Sequence, residues 1–158
     1  MATPRDIRRL AFQLLFQIDA RGGPDDITAI RANIDETDTF TAGEQDKAVK
    51  LALGAYAERA AADAVMLELA PTWPAHRQAA VDRAILRLAH HEMVNLKTNA
   101  KVSVNEAVEL AKEFSTDKSP AFVNGLLDKV LKRVQTSERA ETTEPTEPTE
   151  AAPPATEL

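Results

Sequence analysis

The sequence predicts an all-α domain, and three observations carry that prediction. Apolar residues recur at i, i+3, i+4 and i+7 in one stretch after another, the period of helices that bury one face. No stretch shows sustained period-2 alternation. Aromatics are only 4% of the chain while hydrophobic residues reach 44%, so Ala and Leu carry the apolar content and favour helix over sheet. The 158 residues suffice for one domain with its own core.

The first helix has the cleanest pattern. Ile7, Leu10, Ala11, Leu14, Leu15 and Ile18 form one stripe. Pro4 suits its first turn, and Gly22-Gly23-Pro24 ends it. A second helix is expected over Asp25 to Asp35. Thr41-Ala42-Gly43-Glu44 is a capping box and opens a long helix through Val49, Leu53, Tyr56 and Ala57. That helix runs on, or breaks and resumes, toward Leu69. Pro71-Thr72-Trp73-Pro74 stops it. The next helix spans about Gln78 to Leu96, with Val81, Ile85, Leu88, Ala89 and Met93 inward. After a polar connector, Ser103-Val104-Asn105-Glu106 reads as a second capping box, and Val104, Ala107, Val108, Ala111 and Phe114 share a face. Ser119 caps a last helix with Pro120 in its first turn and Val123, Leu127, Val130 and Val134 inward. The total is about six or seven helices. Gly125 in this last helix costs about 1 kcal/mol relative to Ala. Close contact with another helix is the expected reason, with Asn124 hydrogen-bonding across it.

Residues 1–135 are therefore the folded domain. From Thr136 to Leu158 the Thr-Glu-Pro repeats and Pro153-Pro154 cannot bury a core, and this tail is expected to be disordered. Of the net charge of -6, the tail carries -5, from six Glu and one Arg. The body keeps 18 basic and 19 acidic residues, so it can still display a local basic face. There is no Cys, which excludes disulfide and thiolate chemistry and suits a reducing, cytoplasmic setting. The Arg-bearing start lacks the apolar run of a signal peptide, and no run is long enough to span a membrane.

Enzyme patterns fail on inspection. His91-Glu92-Met93-Val94-Asn95 has Asn95 where a zinc-protease helix needs its second His. His90 and His91 are adjacent, about 100° apart on a helix, and do not converge on one metal. Ser115-Thr116-Asp117-Lys118 has the S-x-x-K spacing without its companion motifs. There is no Gly-rich phosphate loop. Glu106, Glu109 and Glu113 share a helix, but Glu109 and Glu113 mostly extend its solvated face. No catalytic residue, metal site or cofactor is expected.

Binding chemistry is present. Arg5, Arg8 and Arg9 start the first helix, and Phe12 and Phe16 continue the line from Arg8. Arg side chains beside exposed rings suit single-stranded RNA, although a solvated Arg cluster with peripheral core rings has the same pattern. Phe122 lies one position off the Val123 stripe. Lys118 and Ser119 precede it at a helix start, where free N–H groups attract phosphate.

Five segments, in this order and at these spacings, resemble one family. They are Arg8-Arg9-Leu10-Ala11-Phe12-Gln13-Leu14-Leu15-Phe16-Gln17, Trp73, the run from Val81 to Ala89 followed by Glu92, the run from Val104 to Lys112, and the run from Phe122 to Asp128. The family is NusB, the bacterial transcription antitermination factors, and the resemblance covers Arg5 to Val134. It implies two helical subdomains and no catalysis. It implies binding to boxA RNA of nascent rRNA transcripts, together with NusE, a small-subunit ribosomal protein, in an antitermination complex on RNA polymerase. RNA contacts map onto Arg5, Arg8, Arg9, Phe16, Lys118, Ser119 and Phe122, and the acidic contact to NusE onto Asp82. Relatives are monomers or homodimers. Asp6 thins the Arg-rich start here, and Lys118 stands where some relatives carry an acid. Two other readings fit less well. One is a helical adaptor without RNA binding. The other is a stand-alone relative of the NusB-like domain of rRNA cytosine methyltransferases, although no cofactor domain follows Val134.

Overall fold

Thr3 opens the first helix, α1 (Pro4–Ala20), with a full capping box: its hydroxyl accepts from the Asp6 N–H and the Asp6 carboxylate accepts from the Thr3 N–H. Asp6 is thus an N-cap partner, well placed at the positive end of the helix dipole, and its presence among the arginines has a local cause. Gly22 closes the helix at φ +79°, where a Cβ would be strained. The computed structural model describes residues 2–35 and 40–143 of the chain. A 3-10 turn at Pro24–Asp26 leads into α2 (Ile27–Asp35). Thr41 and Glu44 form the expected capping box for α3 (Ala42–Ala57). The chain breaks at Glu58 and resumes as α4 (Arg59–Leu69). Helix α5 (Ala80–His90) ends in a π-helical turn, His91–Asn95. Helices α6 (Ala100–Phe114) and α7 (Ser119–Thr143) complete the fold. Among the described residues there is no strand.

Two boundaries differ from the sequence reading. Helix α6 starts a turn before Ser103, because the Asn99 side chain accepts from the N–H groups of Lys101 and Val102. An Asn cap lying four residues upstream outcompetes the Ser cap and adds a turn. Ser103 is therefore inside the helix, buried, and its hydroxyl has no partner among the described residues. Helix α7 continues to Thr143, past the boundary at 135, because no Pro or Gly interrupts the chain between Gly125 and that point. The expectation of disorder beyond it falls on residues 144–158, outside the described residues.

Helix α1 packs on α3 and α5, and α6 packs on α7 and α5. Helix α5 is shared by both groups, and every residue from Ala84 to Met93 is buried. One continuous core joins Leu14, Leu15 and Ile18 of α1 to Ile85 and Leu88 of α5 and to Val123 and Leu127 of α7. The inward stripe of Ile85, Leu88, Ala89 and Met93 follows the sequence reading, and from Ala84 onward the other faces are covered as well, so Arg87 and His90 are buried with it.

The glycine at close quarters is Gly54, not Gly125. A Cβ on Gly54 would lie 2.6 Å from Nε2 of His91. A Cβ on Gly125 would meet nothing within 4 Å, and both Asn124 and Gly125 are exposed. The close-packing reading of that pair is corrected: no helix lies against it.

His90 and His91 make folding sensitive to acid. Burial pushes both pKa values below the ordinary value for His; the neighbouring His91 adds to the effect at His90, while Asp63 and Glu58 oppose it there and Glu58 and Glu92 oppose it at His91. The unfolded chain binds these protons near pH ~6.5, the folded chain only at lower pH. Stability is therefore full above that value and is lost as pH falls through the depressed folded pKa values. We expect the thermal midpoint, followed by circular dichroism, to drop between pH 7.5 and 5.5, and His91→Gln to reduce the drop. A midpoint that is flat across this window contradicts the assignment.

Candidate nucleic-acid interface

The structure divides the sequence-predicted residues between two grooves. The first, of about 260 Å³, lies between α1 and α6 and is lined by Arg5, Arg8, Arg9 and Lys112 facing Glu106, Glu109 and Glu113. Each arginine of α1 is held by a carboxylate. Arg5 makes a bidentate pair with Glu106, with Nε 2.9 Å from Oε2 and Nη2 3.0 Å from Oε1. Arg9 Nη2 donates to Glu113 at 2.7 Å, and both side chains are more than two-fifths exposed. Arg8 differs in kind. It donates to Glu92 from Nε at 2.8 Å and from Nη2 at 2.7 Å, with side chains only 14% and 4% exposed. These hydrogen bonds raise the Arg8 pKa further, against the opposing effect of burial.

Arg8 is accordingly a buried strut between α1 and the π turn rather than an open phosphate ligand. Arg5 and Arg9 remain accessible, but the charge of each is already offset by a glutamate. Glu113 lies on the exposed face of α6, as the sequence reading has it, and there it pairs with Arg9. The rings of α1 also fall short of an exposed stacking face. Phe12 is core and packs on Phe114 with centroids 5.0 Å apart. Phe16 is half-buried against the core and lines neither groove.

The second groove, of about 400 Å³, gathers Lys118, Ser119 and Phe122 from the start of α7 with Asp82 of α5 and with Trp73, Arg77, Gln78 and Ala79 from the α4–α5 connection. Asp82 is buried, and its carboxylate accepts from Ser115 Oγ at 2.7 Å and Ser119 Oγ at 3.0 Å. Ser119 is buried with it and also hydrogen-bonds Ser115. The Asp82–Ser115–Ser119 knot therefore ties the start of α7 to α5. Neither Asp82 nor Ser119 is an open contact for a partner or for RNA. Lys118 is exposed, and Phe122 is half-buried at the groove wall.

Sequence reasoning placed Trp73 in a motif without giving it a role, and it missed Arg77 and Gln78. The signal available was the Trp73-Pro74…Arg77 spacing, an aromatic and a cation near each other at a helix break. The end of α6 and the turn after it link the grooves: Glu113 lines the first and Thr116 the second. Three residues separate their Cα atoms by at most about 11 Å.

Comparison with known proteins follows the same lines. The family model described as "NusB family" matches residues 5–132. The chain is 41% identical over 135 residues to the transcription antitermination protein NusB of Symbiobacterium thermophilum, covering 81% of this chain and 88% of that protein. It is similar in structure to T. maritima NusB, with a TM-score of 0.73 and 30% identity over 89% of this chain and 99% of that one. It is also similar to a chain in a crystal structure of antitermination factors NusB and NusE in complex with dsRNA, with a TM-score of 0.71 and 25% identity over 82% of this chain and 96% of that one. A helical chain built around a shared α5, matched along nearly its whole described length, belongs to the NusB family.

Proposed function

We propose that this protein is a transcription antitermination factor that acts by binding rather than catalysis. It takes boxA-type RNA of nascent rRNA transcripts together with NusE, within the antitermination complex on cytoplasmic RNA polymerase. The reading is supported by relatives that are transcription antitermination proteins and by a similar chain seen with NusE and RNA. One observation carries the RNA half of the reading. In the second groove, exposed Lys118 stands beside the Phe122 ring, and none of the ion pairs among the described residues engages Lys118. An uncompensated cation beside an aromatic ring suits a nucleotide, with the phosphate on one and the base on the other. Arg5 and Arg9 supply a secondary electrostatic edge after exchange of their glutamates. Asp82 acts on partner binding through the serine knot that fixes the start of α7.

Fluorescence anisotropy of a labelled single-stranded boxA-type RNA, with and without NusE, tests this. Binding is expected in low salt and is strengthened by NusE. Absence of binding in both conditions overturns the reading. Lys118→Ala is expected to weaken binding and to reduce the slope of log K against log salt by about 0.7, the release from one single-strand phosphate. An unchanged slope removes Lys118 from the interface.

A further inference from the structure

The second groove holds an aromatic surface that the RNA reading has not used. Trp73 is the chain's sole tryptophan, and it is 45% exposed. A single exposed ring is ordinary on a protein surface; what marks Trp73 is its place in a groove beside a second ring and two cations. Its backbone is rigidly held. The Trp73 N–H donates to the Ala70 carbonyl at 2.9 Å, and Gln78 Nε2 donates to the Trp73 carbonyl at 3.1 Å. Arg83 ties the following turn to the core by donating to the Ala75 carbonyl at 3.0 Å and to Asp19 at 2.7 Å. The Arg77 guanidinium sits 5.5 Å from the Trp73 ring centroid. The backbone that carries the ring is thus held in place, and the ring lines the same groove as Phe122.

The charges around the rings select the occupant. The groove is lined by two cations, Arg77 and Lys118, and one carboxylate, Asp82. Asp82 is turned inward onto Ser115 and Ser119. Besides the Trp73 ring, the Arg77 side chain meets only the Thr72 carbonyl among the described residues, at 3.5 Å. In contrast with the arginines of the first groove, neither groove cation is neutralised by a carboxylate among the described residues. Rings flanked by open cations match a base with its adjoining phosphates.

We propose that Trp73 and Phe122 form the two walls of a slot for an unpaired nucleobase of single-stranded RNA, with Arg77 and Lys118 holding the flanking phosphates. This rests on the RNA-binding reading above and assigns Trp73 and Arg77 to it. It also commits the slot to single strands, because a base paired within a duplex cannot enter between two rings.

The single tryptophan makes the test direct. The full chain is titrated with a single-stranded boxA-type RNA of about 12 nucleotides while Trp73 fluorescence and, separately, RNA anisotropy are followed; the expected loss on Trp73→Ala is about 5- to 150-fold in affinity, the range for one base stack. The fluorescence of Trp73 is expected to be quenched with the same midpoint as the anisotropy change. Trp73→Phe is expected to keep most of the affinity. The thermal midpoint of Trp73→Ala is expected to stay close to that of the parent chain, since the ring is exposed. RNA binding that leaves Trp73 fluorescence and Trp73→Ala affinity unchanged overturns the slot while the RNA reading stands. Equal quenching by the same sequence as a duplex also overturns it. A Trp73→Ala variant that binds RNA normally but loses NusE shows a protein-docking groove instead, which overturns it as well. No RNA binding by the parent chain removes both readings together.

Discussion

Arg8→Ala is expected to destabilise the fold by about 3–5 kcal/mol, the range for stripping one partner from a buried ion pair. At this chain length that lowers the thermal midpoint by roughly 6–20 °C. The reason is Glu92, whose side chain is 4% exposed and accepts all three Arg8 hydrogen bonds. Without Arg8 its charge is left buried and unpaired, or it must take up a proton. Glu92→Gln alone should also be costly, because it leaves the guanidinium uncompensated. The double variant Arg8→Met with Glu92→Leu is expected to recover much of the loss, since apolar residues of similar volume often replace a buried pair at little cost. Thermal unfolding of Arg8→Met, Glu92→Leu and the double variant forms the cycle that checks this. A midpoint for Arg8→Ala within a degree or two of the parent refutes the strut. Arg9→Ala serves as the contrast: its pair with Glu113 is exposed, and such pairs are worth about 0–1 kcal/mol. Loss of RNA binding in Arg9→Ala would therefore report on the interface, whereas the same loss in Arg8→Ala would report on folding.

This division was only partly legible in the sequence. The stripes of α1, α6 and α7 were readable because each of those helices buries one face, so its period is visible. The Thr41–Glu44 box was readable because capping chemistry is local. What the sequence could not show was partnership over long separations. Arg8 and Glu92 are 84 residues apart, and Arg5 and Glu106 are 101 apart. A run of arginines reads the same whether its charges are free or spent, and only the packing of α6 beside α1 decides it. The same holds for Asp82. As a carboxylate near a helix start it resembles a surface contact, yet Ser115 and Ser119 come round from the α6–α7 turn to satisfy it. Gly125 shows the opposite error. A glycine in a helix suggests crowding, but the crowding is at Gly54, whose neighbour His91 lies 37 residues on. The second groove was half legible: Lys118 and Phe122 stood out locally, while Trp73 and Arg77 joined them only through the fold.

Arg87→Ala is expected to be the other severe substitution, costing about 3–5 kcal/mol or more by the same physics. Arg87 is 7% exposed at the centre of α5. It donates to Asp63 from Nε at 2.9 Å and from Nη2 at 2.7 Å, and to Asp19 from Nη1 at 3.1 Å. Burial works against its charge, but its hydrogen bonds to Asp63 and the nearby charges of Asp63 and Asp19 outweigh it and raise its pKa. One guanidinium thus fastens α1, α4 and α5 together. Removing it leaves two carboxylates, though unequally. Asp19 keeps Arg83, which donates to it at 2.7 Å, whereas Asp63 has no second cation among the described residues. The larger share of the loss should therefore come from Asp63, and Asp63→Asn on the Arg87→Ala background is expected to restore more stability than Asp19→Asn. Arg87→Lys should recover only part, because a single ammonium cannot supply the bidentate fork to Asp63 and still reach Asp19. Chemical denaturation of these variants checks the order. Equal rescue by the two Asn substitutions would mean that Arg83 does not hold Asp19 as the structure implies. The second groove is built on the same helix, with Asp82 five residues before Arg87. Loosening α5 should therefore lower RNA affinity without any change to a residue that touches RNA. Lys118→Ala makes the opposite separation, weakening RNA binding while leaving the fold intact, so the pair of variants distinguishes a damaged scaffold from a damaged interface.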